Sequence, residues 1–147
     1  NIMEKVIILS GGFDPVHIGH LKMFKAAKDM GAIVIVGANS DNWLSRKKGK
    51  PFMFESERIA ILKGFKYIDY VHTFDDTDDT ACDLIKKVSS IYKDKKNVKL
   101  FFGNGGDRTL TSTPEIQYCE QNDIEMLWGL GGGKIQSSSD LIKNMNK

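Results

Sequence analysis

Short apolar runs alternate along this chain with longer stretches in which apolar positions recur every three or four residues. Val6-Ile7-Ile8-Leu9 is continuous rather than alternating, which predicts a strand buried on both faces. From Ile18 to Met30, Leu21, Phe24, Ala27 and Met30 fall at three-residue steps and Met23 and Ala26 widen the stripe, predicting an amphipathic helix that Gly31 stops. Ala32 to Val36 reads as the second strand, ended by Gly37 and a turn-like Asn39-Ser40-Asp41-Asn42. After a basic loop, Arg46-Lys47-Lys48-Gly49-Lys50-Pro51, the stretch Glu57 to Phe65 predicts a helix with Ile59, Leu62 and Phe65 on one stripe. Tyr70 to Phe74 is a third strand, and Asp75-Asp76-Thr77-Asp78-Asp79 reads as a solvated acidic turn. Thr80 and Asp83 form a capping-box pair ahead of a helix face marked by Leu84, Ile85, Val88 and Ile91. Val98 to Phe102 is a fourth strand, and Thr113-Pro114 opens a helix to about Gln121. Ile124 to Trp128 is a fifth strand, and Ser137 with Asp140 fits a second capping box for a last helix.

This order, strand and helix in strict alternation with short joins, predicts an α/β fold: a Rossmann-like three-layer α/β/α sandwich around a five-stranded parallel sheet. Ligands of such sheets gather beyond the carboxyl ends of the strands, where the chain order reverses. Ser10 to His20, Asn104 to Arg108 and Gly129 to Ser139 fall at such ends. The 147 residues suit one domain spanning 1–147, and 41% apolar content argues against disorder. A net charge of +2 gives no bulk argument for nucleic acid or membrane as a partner. Cys82 and Cys119 make no disulfide framework or CxxC pair, so a reduced cytoplasm is expected. Apolar runs stay below the ~18 residues of a membrane span, and Val6 to Leu9 is too short for a signal-peptide core.

The segment richest in chemistry is Ser10-Gly11-Gly12-Phe13-Asp14-Pro15-Val16-His17-Ile18-Gly19-His20. Gly11 and Gly12 let backbone approach a ligand closely, and Pro15 stiffens the turn. His17 and His20, three apart, come to one side of the first turn of the predicted helix, where free N–H groups and the positive dipole end favour phosphate. Either histidine alone reads as a surface residue of a glycine turn. Two of the chain's three histidines in one strand-to-helix turn point to function.

Gly12-Phe13-Asp14 and His17-Ile18-Gly19-His20 resemble, position by position, the (T/G)-x-F-D-x-x-H-x-G-H signature of the cytidylyltransferase-like nucleotidylyltransferases. The resemblance implies the nucleotidylyltransferase fold, with His17 and His20 binding the triphosphate and stabilising the α-phosphoryl transition state. It places Gly11, Gly12, Phe13 and Asp14 at the nucleotide. Glu57-Arg58-Ile59-Ala60-Ile61-Leu62 resembles the family's E-x-R-x-x-x-L helix, which places Arg58 near substrate or nucleotide phosphate, the alternative being a helix-surface salt bridge. A lysine of the basic loop is implied at the phosphates; Lys47 is chosen, with Arg46, Lys48 and Lys50 as rivals and a merely solvated loop as the alternative.

Ile135-Gln136-Ser137-Ser138-Ser139 stands where the family carries an I-S-T-T type motif, which makes Gln136, Ser137, Ser138 and Ser139 phosphate ligands, or else a plain N-cap run. The arginine that cytidylyltransferases often carry just before it is absent, and Lys134 is the nearby cation. Gly103-Asn104-Gly105-Gly106-Asp107-Arg108 resembles the Gly-Gly-Asp segment after strand four in sugar-phosphate and heptose-phosphate members, which puts Gly103, Gly106 and Asp107 in the nucleotide and substrate pocket, and it is equally a good turn sequence. The implied reaction moves CMP or AMP from CTP or ATP to a small phosphorylated polyol or sugar, glycerol-3-phosphate- or heptose-phosphate-like, with Mg²⁺ on the phosphates and no protein metal site. A homodimer is implied as common in the family. The alternatives are a phosphopantetheine- or nicotinamide-mononucleotide-type adenylyltransferase, and a non-catalytic nucleotide-binding protein.

Overall fold

Successive residues of the first strand enter opposite cores, and both cores are full. In the computed structural model, which describes residues 3–105 and 114–139, β1 runs Glu4–Gly11 and Val6 through Leu9 have no solvent exposure. Ile7 and Leu9 join one apolar cluster and Val6 and Ile8 the other. β2 (Ile33–Ala38), β4 (Val98–Gly105) and β5 (Glu125–Leu130) divide their side chains the same way. α1 (Ile18–Asp29) and α3 (Glu55–Lys63) close one face through Phe24, Ala27 and Leu62. α4 (Cys82–Tyr92) and α5 (Pro114–Gln121) close the other through Leu84, Ile85, Val88 and Cys119. The predicted three-layer α/β/α sandwich is therefore the observed one.

Among the described residues the sheet has six strands in the order β3-β2-β1-β4-β5-β6, with β3 at Tyr70–Thr73. All pairs are parallel except β5 with β6 (Gln136–Ser137), which is antiparallel. The five-strand expectation lacked this last strand. Ser137, expected to cap a last helix, lies in β6 directly before the helical residues Ser138 and Ser139, and its expected partner Asp140 lies outside the described residues, as do Thr113, Gly106 and Asp107. The chain winds from β1 out to β3, then crosses to β4 on the other flank of β1. The switch point thus lies beyond the carboxyl ends of β1 and β4, and the turn that leaves β1 carries the two histidines.

The first half of the predicted basic loop, Arg46 to Lys48, is helix: α2 spans Asp41–Lys48, its only buried residue Leu44. Ser40 caps it by accepting from Trp43 N at 3.1 Å. Asp41 in its first turn and Arg46, Lys47 and Lys48 in its last complement the helix dipole. The Thr80–Asp83 capping box does not form. Ala81 is the N-cap of α4, Thr80 Oγ1 accepts from Cys82 N, and Asp83 accepts from the Asp75 amide at 2.8 Å. Among the described residues no helix is long and apolar enough to cross a membrane.

Candidate active site

His17 is the N-cap of α1, with extended backbone, and the two histidines build the cap between them. His17 Nδ1 accepts from Gly19 N at 3.0 Å, and His17 N donates to His20 Nδ1 at 3.1 Å. The rings stack with centroids 3.8 Å apart and planes 25° from parallel. Any side chain at Gly19 would meet the His17 ring at 2.9 Å, so glycine lets that imidazole fold back over the helix start. A ring nitrogen that accepts an N–H bond carries no proton itself, so the network assigns the proton of each neutral imidazole to Nε2. Burial, and secondarily the neighbouring His17, push the His20 pKa down to about 4. His20 therefore presents a neutral Nε2–H at ordinary pH. The amides of Gly19 and His20 are already bonded within the cap, the latter to His17 O at 3.0 Å. Of the first-turn amides that sequence reasoning assigned to phosphate, those two are spent in the cap, and the imidazoles are donors the turn offers in their place.

Three residues expected to touch ligand face inward instead. Phe13 is 2% exposed, adopts φ 54°, and sets its ring edge-on to His20 at 4.9 Å and 73°. The Asp14 side chain, also 2% exposed, accepts from Phe52 N at 2.6 Å and Met53 N at 2.7 Å and pairs with Lys48 Nζ at 2.7 Å. Burial would raise its pKa, but the Lys48 bond and the two amides outweigh that and hold it below the usual value. Such a carboxylate anchors the segment before α3 and is a poor neighbour for phosphate. Arg58 corrects the expectation most sharply, for its side chain is fully buried. Its Nε donates to Met53 O, Nη1 to Gly12 O and Asn39 O, and Nη2 to Asp41 Oδ1, all within 2.7–3.0 Å. The guanidinium thus ties together the turn after β1, the turn after β2 and the start of α3. Gly12, expected at the nucleotide, gives its carbonyl to that tie and lies against Leu44.

The four cations separate by partner. Arg46 bonds Asp76 O at 2.9 Å and Asp79 Oδ1 at 3.0 Å, and Lys48 is held by Asp14 through both its carboxylate and its carbonyl. Lys47 is exposed and lies over the Trp43 ring at 5.4 Å from its centroid. Among the described residues neither Lys47 nor Lys50 has a carboxylate partner.

At the second half of the sheet, Gly103 is a packing glycine. Its missing side chain leaves room for Leu130 and Leu9, which would lie 2.5 and 2.7 Å from a Cβ there. Gly131, at φ 81°, would clash with Met23 N at 2.7 Å if it bore a side chain, so the Gly129–Gly133 turn rests on α1 just beyond His20. Gln136 and Ser137 pair with Trp128 and Leu127. Ser138 Oγ accepts from Met126 N, and the Ser139 hydroxyl donates to Glu125. The last two hydroxyls therefore hold this segment to β5.

Sequence reasoning missed Asp76. It is 3% exposed and accepts from Asn39 Nδ2, Ser40 N and Ser40 Oγ at 2.7–3.0 Å, fixing the turn that starts α2. One aspartate among four in a five-residue run carries no mark of that role. Among the described residues no group of three or more His, Cys, Asp or Glu could hold a metal ion, and Cys82, Cys119 and His72 fall in separate elements or cores.

The doubly wound sheet places these paired Nε2–H donors at its switch point, where sheets of this kind bind ligands. The cytidylyltransferase-like family model matches residues 8–143, and the chain belongs to that family. It is 41% identical over 87 residues to the bifunctional protein HldE of Campylobacter curvus and of Helicobacter hepaticus, 58% of this chain and 18% of each relative. To the HldE of Sulfurimonas denitrificans it is 38% identical over the same length. The chain thus spans under a fifth of the curated relatives it matches. A lipopolysaccharide core biosynthesis protein from Thermoplasma volcanium shares the fold, with TM-score 0.62 and 20% identity over 83% of this chain and 90% of that one.

Proposed function

We propose that the chain transfers AMP or CMP from ATP or CTP to a small phosphorylated sugar or polyol and releases pyrophosphate. The observation that carries this is the histidine cap, which delivers two Nε2–H donors side by side at the switch point. An acceptor phosphate oxygen attacks the α-phosphorus in line, and the bond to the bridging oxygen breaks with its electron pair leaving on pyrophosphate. Negative charge grows on the non-bridging oxygens, where preorganised donors bind the transition state better than the ground state. A phosphate monoester is already an adequate nucleophile, so the chain's work is positioning and charge neutralisation. Lys47, without a carboxylate partner among the described residues, supplies charge to the triphosphate. The residues of the turn do not fit a protein-held Mg²⁺, because Asp14 is committed to Lys48 and two amides; the ion would arrive on the nucleotide's own phosphates.

A heptose phosphate with ATP ranks first among acceptor and donor. The resemblance of Gly103 to Asp107 to heptose-phosphate members and the absence of the cytidylyltransferase arginine beside Lys134 support it. A pyrophosphate-release screen crosses ATP, CTP, GTP and UTP with heptose, glycerol, ribitol and choline phosphates. Release with one ATP or CTP pair is expected, and His20→Ala should lower its kcat by roughly 10²–10³, the usual cost of one preorganised donor. Normal turnover in His20→Ala overturns the mechanism.

A further inference from the structure

We propose that Phe13 is a positioning residue for nucleotidyl transfer: wedged between Gly11 and His20, its ring holds the second imidazole in the one orientation that presents Nε2–H to the reacting phosphate. This rests on the transfer reading above. The wedge is tight on both sides. A side chain at Gly11 would lie 3.0 Å from Phe13 Cζ and 3.2–3.3 Å from both Cε atoms, so the tip of the ring sits on a bare Cα. The ring then meets His20 edge-on at 4.9 Å and 73°, and Phe24 behind it at 5.6 Å. Phe13 reaches this place with φ 54°, a region that bulky residues rarely occupy and that persists only where surrounding packing imposes it.

The histidine pair itself needs such an anchor. His17 is exposed, and the two rings stack on each other while each accepts one backbone amide, His17 from Gly19 and His20 from His17, contacts that tether them to the start of α1 but not to the sheet. Phe13, 2% exposed within the core cluster of Leu9, Phe24 and Ala27, links that pair to the sheet. It also supplies the apolar side of His20, whose pKa burial depresses; the titratable group acting on His20 is His17. Gly11 and Phe13 of the signature thereby act through His20 without meeting the nucleotide.

The test uses Phe13→Leu and, as a milder change that keeps the ring, Gly11→Ala, which pushes Phe13 by one methyl group. Nitrogen-15 NMR of the imidazoles, with no nucleotide present, should show wild-type His20 as a single Nε2–H tautomer titrating near 4. Phe13→Leu should show mixed tautomers and a midpoint moved towards the ordinary histidine value. Its kcat should fall by about tenfold to a hundredfold, as misplacement of a catalytic group by about an ångström does, with KM for the nucleotide little changed. A wild-type tautomer in the variant overturns the proposal. So does a disturbed tautomer with wild-type kcat, given that His20→Ala loses turnover. Should Phe13→Leu not fold, Gly11→Ala is read by the same two criteria. The transfer reading fails separately, through normal turnover in His20→Ala, whatever the NMR shows.

Discussion

Replacing Arg58 by methionine separates a buried tie from a substrate ligand. The variant keeps the unbranched stem and removes a guanidinium with no solvent exposure. Three carbonyls, of Met53, Gly12 and Asn39, lose their donor, and Asp41, 38% exposed, loses its ion-pair partner at 2.8 Å. Asp41 can rehydrate and keeps the Glu55 amide, so the main cost lies in the orphaned carbonyls, about 1–3 kcal/mol each where water cannot reach them. These terms overlap, because an opened turn admits solvent, so a loss of about 3–5 kcal/mol is expected. For a domain of this size that lowers Tm by roughly 6–20 °C, at about 2–4 °C per kcal/mol. Thermal melts followed by circular dichroism, with urea midpoints as a check, read it directly. Arg58→Lys should fall between, since one ammonium cannot replace a planar fork reaching four oxygens. A Met variant that melts within about 2 °C of wild type while KM for the acceptor rises steeply would refute the reasoning and return Arg58 to the substrate.

Lys47→Ala should raise KM for the nucleoside triphosphate severalfold with no measurable loss of stability, because the residue is exposed and its ammonium lies over the Trp43 ring. Arg46→Ala and Lys48→Ala should instead lower Tm, since each spans two segments; equal kinetics in all three and in Lys50→Ala would leave the basic face as solvated charge. His20 should also mark the pH dependence of folding. Its folded pKa, about 4, lies below the ordinary 6.5, so between those values the unfolded chain binds more protons and stability falls as pH falls. His72, lowered by burial and Lys87, acts in the same direction, and Asp14 acts only below the unfolded carboxylate value of 3.8. The difference between wild type and His20→Asn in urea midpoint from pH 4 to 7 isolates the His20 share; a constant difference across that range would remove it.

What was legible in the sequence follows from how each element is stabilised. Strands buried on both faces must be apolar at every position, so Val6–Leu9 and Ala32–Val36 announce themselves without a structure. α2 buries only Leu44 and is held by the Ser40 cap and by charge at its ends, so no periodicity reveals it. β6 is two polar residues folded back by a glycine turn, and no pattern marks so short a strand. The histidine pair was legible because a spacing of three with glycine between admits few geometries at a helix start.

Roles were harder to read than places, for a reason the site itself shows. Sequence spacing brings Phe13, Asp14, His17 and His20 to one turn and the family resemblance adds Arg58, but neither says which way their polar atoms point. Arg58 and Asp14 carry charges that ligand phosphate and buried backbone oxygens or amides would satisfy equally well. The fold decides between them by burial, and it turns both inward. Only His17 and His20 are left with donors that the turn does not itself consume. A signature of this length then makes physical sense as two sets of residues. Under the proposed function one pair faces the reaction, and Phe13 beneath His20, with Asp14 and, from α3, Arg58 clamping the flanking segments, holds that pair in place. Loss of a clamp should therefore appear first in stability and loss of an imidazole first in kcat, a distinction that ranks the motif's residues by measurement.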